Sequence, residues 1–86
     1  MEKPLVARIE SNQSEVACLR TRIMLEYQAA MRAMHDSALT APHLFITKRM
    51  ETISDLQEQL VPLVGAQQAT RVTWEAMEEG GSVESL

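Results

Sequence analysis

Eighty-six residues with 45% hydrophobic but only 3% aromatic content leave Leu, Ile, Val, Ala and Met to fill a core, the composition of a helix bundle rather than of a β-sandwich. A net charge of −4 argues against a protein that coats nucleic acid, because that task uses a basic face to attract phosphates and displace counterions. The single cysteine, Cys18, cannot close an intramolecular disulfide, so a chain this small is expected to supplement its core by oligomerisation.

The first predicted helix covers about residues 4–38. Pro4 suits a first turn, where its missing N–H would have no intrahelical acceptor in any case. Leu5, Ile9, Val16, Leu19, Ile23, Tyr27, Ala30 and Met34 keep one helical phase, which favours a continuous rod. The alternative is a break at Ser11 to Ser14, where Asn12 followed by Glu15 has the spacing of a capping-box variant. The stretch Leu39-Thr40-Ala41-Pro42 then separates this segment from a second helix over about 42–63, striped by Ile46, Met50, Ile53, Leu56, Leu60 and Leu63. Pro62 removes a backbone donor and Gly65 tolerates the left-handed conformation, so a kink or stop is expected at residues 62 to 66. A short third helix, about 66–79, would turn Ala69, Val72, Ala76 and Met77 inward and keep Trp74 at an edge. Gly80-Gly81-Ser82 is expected to end the order, leaving 80–86 as a flexible tail.

These elements predict an all-α fold in one helical domain over residues 1–79: an antiparallel hairpin with a kinked or broken second arm, assembling into a four-helix-bundle dimer of coiled-coil-like packing. Folded at the turn, facing positions have numbers that sum to about 80. Met34 then meets Ile46, Met31 or Ala30 meets Met50, Tyr27 meets Ile53, Ile23 meets Leu56, Leu19 meets Leu60 and Val16 meets Val64. Whether the third helix extends the second or folds back is left open by the pattern. Only if it extends would Ile9 approach Val72, Leu5 approach Trp74 or Met77, and Asn12 face Gln67 in a polar layer.

A hairpin alone leaves a second apolar stripe uncovered. It consists of Val6, Cys18, Leu25, Ala29 and Ala33 on the first helix, with Phe45, Thr52 and Val61 on the second, and it is the predicted self-association surface. Met24, Met31, Met34 and Met50 crowd the turn-proximal half, where thioethers suit irregular core gaps better than an adaptable groove. His35, Asp36 and His43 flank the turn and define a metal-binding alternative, although zinc usually takes three or four ligands and its recognised spacings are absent. Arg32, Lys48 and Arg49 near the turn define a nucleic-acid alternative, with Glu75, Glu78, Glu79 and Glu84 expected at the opposite end. No aromatic residue interleaves these bases, and scattered helix charges are mostly solvation.

No phosphate loop, nucleophile and histidine pair or buried carboxylate pair points to catalysis. Glu26, the nearest approach to a buried acid, is expected to pair with Arg22 one turn earlier. The longest apolar run, Leu60 to Val64, is too short for a signal peptide or a membrane span, and a lone thiol fits a reducing, cytoplasmic setting. The expectation is a non-enzymatic protein-protein interaction or adaptor module, homodimeric, without a cofactor, a membrane or a nucleic-acid partner.

Overall fold

A computed structural model describes the backbone of residues 5–35 and 42–84 and the side chains of residues 12–35 and 43–81. Three helices form in the order α1 (Leu5–His35), α2 (Pro42–Val64) and α3 (Ala66–Glu84), with no strand among the described residues. All three pairs of helices pack against one another. The α1–α2 turn at Leu39 to Ala41, Asp36 and the side chains of Leu5, Val6 and Ile9 lie outside the described residues.

α1 runs unbroken through Ser11 to Ser14, so the single phase of its stripe prevails over the local capping alternative at Asn12. Its 31 residues make a rod of roughly 46 Å. The core beneath it contains Leu19 and Ile23 from α1, Ile53, Leu56 and Leu60 from α2, and Ala69, Val72 and Ala76 from α3. Val16, Tyr27 and Leu63 pack at its margins. Two members of the expected stripe are exposed, Met34 at 61% and Met50 at 39%, so the turn-proximal methionines are only partly core. The register nevertheless holds at the far end, where Val16 and Val64 line one groove.

Pro62 lies within the last turn of α2, and the chain reverses at Gly65. That residue has φ +88°, donates its N–H to the Val61 carbonyl at 2.8 Å, and accepts from the Ala69 N–H at 2.9 Å. One glycine thus closes α2 in the left-handed conformation and opens α3. Beyond it, Gln57 Nε2 donates to Thr70 Oγ1 at 3.3 Å, which ties α3 back onto α2.

α3 therefore folds back and runs in the direction of α1. Val72 enters the central core instead of approaching Ile9, and Asn12 and Gln67 are both exposed, so no polar layer forms between them. The buried Thr73 hydroxyl donates to the Ala69 carbonyl at 2.9 Å, which satisfies it without a partner from another helix.

The helix also continues through Gly80 and Gly81 to Glu84, where a flexible tail is expected from the sequence. The reason is tertiary. A Cβ at Gly80 would lie 2.7 Å from the Met24 carbonyl oxygen, and one at Gly81 would lie 3.4 Å from the Tyr27 ring. Gly80 lets α3 rest directly on the backbone of α1, and that packing outweighs its low helix propensity.

Candidate functional site

The return of α3 changes where the charges and the uncovered apolar residues lie. Glu79 accepts a 2.6 Å bond from Arg20 of α1, beside the bundle's middle instead of at an end remote from the bases. Acidic residues of α3 thus occupy one flank of α1, and the α1–α2 face forms another.

On the α1–α2 face, Glu26 bonds Arg49 of α2 at 2.9 Å rather than Arg22 of its own helix. The Arg49 guanidinium also sits 4.7 Å from the centroid of the Phe45 ring. A cation held by a carboxylate and an aromatic face is fixed in place, which orders this part of α2. Beside it, Leu44, Phe45, Lys48, Arg49 and Thr52 line an open groove of about 410 Å³. Leu44 is 62% exposed, an apolar side chain that the sequence reading missed; its signal was its position one helical turn before Lys48.

The predicted interface residues divide. Leu25 is 51% exposed and Cys18, seven residues earlier on the same side of α1, is exposed as well. Ala29 and Phe45 are half-buried. Ala33 is 3% exposed within the chain, so it belongs to the core and offers nothing outward. Val61 is exposed but lies nine residues from Thr52, half a turn out of phase, and so faces away from the groove. The side chain of Val6 lies outside the described residues. A second groove, at the end of the bundle where α2 turns into α3, is lined by Asn12, Gln13, Val16, Ala17, Arg20, Leu63 and Val64.

For the metal alternative, His35 and His43 are both exposed, Asp36 is outside the described residues, and no group of three His, Cys, Asp or Glu residues among the described residues is placed to hold an ion. For the nucleic-acid alternative, Arg49 is committed to Glu26, and Arg32 has an interaction of its own. Lys48 is then the one of the three with no ion-pair partner among the described residues. No described helix is long and apolar enough to cross a membrane. Compared with protein-family models, curated proteins and solved structures, the chain shows no significant match.

Proposed function

We propose that the protein is a non-enzymatic interaction module that self-associates through the outer face of α1 and α2, and that it serves as an adaptor or accessory subunit. The observation that carries this reading is the exposure of Leu25 and Leu44, 51% and 62%, on one side of a bundle whose core α3 already closes. Such apolar area contributes nothing to folding and gains free energy when a partner removes it from water. In a dimer, α1 and α2 of each copy form the four-helix layer and each α3 lies outside it. The bundle is 25 Å wide and α2 is roughly 34 Å long, so the face offers on the order of 800 Å², the area one partner of a standard interface buries. The exposed thiol of Cys18 supports a reducing, cytoplasmic setting.

Leu25→Asp places a charge in that face, whereas Glu75→Lys alters an exposed residue of α3, which lies outside it. Sedimentation velocity on both variants tests the reading. Leu25→Asp is expected to sediment as a monomer where the parent and Glu75→Lys sediment as dimers. Equal association by the two variants contradicts this interface.

A further inference from the structure

The reversal between α2 and α3 is one residue long and keeps part of a helix's bonding. Gly65 donates to the Val61 carbonyl and accepts from the Ala69 N–H, the spacing that an uninterrupted helix would use. Three bonds between these two are missing. Among the described residues, no backbone bond joins the N–H groups of Ala66, Gln67 and Gln68 to the carbonyls of Pro62, Leu63 and Val64. Rotating Gly65 from φ +88° into the helical region would form all three and merge α2 and α3 into one helix over residues 42–84, roughly 64 Å long. Pro62 is no obstacle to that, because it already sits inside α2.

An opened chain cannot stay folded alone. Swinging α3 away would strip cover from Ile23, Leu56 and Leu60, the largest fully buried side chains, and would expose Ala69, Val72 and Ala76 of α3. The surface so uncovered is shaped for α3 itself, down to the Met24 carbonyl against which only a glycine fits. We infer that Gly65 is a hinge, and that an opened α3 docks on the α1–α2 core of a second copy, which returns its own α3 in exchange. The two long helices then cross antiparallel near their Gly65 residues, about a two-fold axis. Glu79 of each copy meets Arg20 of the other, and Gln57 meets Thr70, so the contacts of the folded-back chain recur between copies. Exchange adds the three backbone bonds at each hinge, while the entropy of association opposes it, so the exchanged form gains with concentration.

Glycine sets this balance. It tolerates the left-handed turn of the folded-back chain and is a poor residue for the straight helix. Alanine reverses both preferences, and a Cβ at position 65 meets nothing within 4 Å, so backbone conformation alone is altered. The inference is independent of association through the outer α1–α2 face, which stays uncovered in both forms.

Crosslinking between α1 and α3 separates the two forms. The reporter chain carries Cys18→Ser, Arg20→Cys and Glu79→Cys, placing one thiol on each of two helices that touch, and Leu25→Asp to suppress outer-face association. A bis-maleimide joins the thiols within one chain when α3 is folded back and between two chains when it is exchanged, as a denaturing gel reads directly. After refolding at high concentration, Gly65→Ala in this chain is expected to raise the double-mass product at least about tenfold over Gly65, because both hinges of the dimer favour the straight form. Gly65→Asn, which tolerates the left-handed conformation, should stay close to the glycine chain. A Gly65→Ala chain that crosslinks only within itself, or that loses its helical circular dichroism at every concentration, overturns the hinge. Equal double-mass product from the alanine and asparagine variants does so as well. None of these results bears on the outer face, whose test is the sedimentation of Leu25→Asp against the parent.

Discussion

The two flanks of α1 are built on opposite plans. Toward α3 the contact is made by small residues: Gly80 sits so close that no Cβ would fit beside the Met24 carbonyl, and Ala69 and Ala76 are fully buried. Toward the outer face shared with α2, large side chains such as Leu25 and Leu44 stand in solvent, Leu44 in the wall of an open groove. The first flank shows how a chain with little aromatic content reaches a dense core, by bringing backbones together instead of filling space with rings. The second shows apolar surface that the fold does not use. On the self-association reading, stability and association belong to different sides of one helix, and substitutions can separate them.

The largest effect belongs to the shared core. Ile23 is fully buried, and Ile23→Ala should lower the unfolding free energy by about 2–5 kcal/mol in a denaturant titration. A loss below about 1 kcal/mol would mean that α1 is not the central element. Next comes the α1–α3 flank. Gly80→Ala forces a methyl group against backbone that cannot swing aside, and a cost of about 1–3 kcal/mol is expected even though alanine is the better helix former. Gly65→Ala makes a useful contrast, because nothing lies within 4 Å of the added Cβ and its penalty, about 1–2 kcal/mol, arises only from φ +88°. A stabilising Gly80→Ala would show that α3 does not rest on the backbone of α1. The smallest effect is expected on the outer face: in dilute solution Leu44→Ser should shift unfolding by less than about 0.5 kcal/mol. A larger loss would place Leu44 in the folding core.

Much of this contrast was readable in advance on the core side. Leu19, Ile23, Ile53, Leu56 and Leu60 follow helical periods that need no tertiary information, and Pro62 with Gly65 marks the reversal by local chemistry. The direction taken after Gly65 was not readable, because a left-handed residue permits several exits and the apolar positions of α3 suit more than one. The two glycines at positions 80 and 81 misled for a related reason. In sequence they signal a helix end, and only the approach of the α1 backbone to Gly80 explains why a glycine is placed inside a helix there. Glu26 illustrates the same limit at the interaction surface: Arg22 lies at the favourable helical spacing, but folding brings Arg49 within 2.9 Å and removes that cation from the candidate basic cluster. Ala33 left the predicted interface by the same route, since folding within the chain leaves it only 3% exposed.

The central claim is that the outer α1–α2 face is covered by association, and the absolute mass of the purified parent protein in solution tests it most directly. Size-exclusion chromatography with light scattering over a dilution series is predicted to return twice the chain mass of 9.6 kDa at the higher concentrations, falling toward the single-chain mass on dilution. A helical, folded protein that keeps the single-chain mass at every concentration would contradict the account.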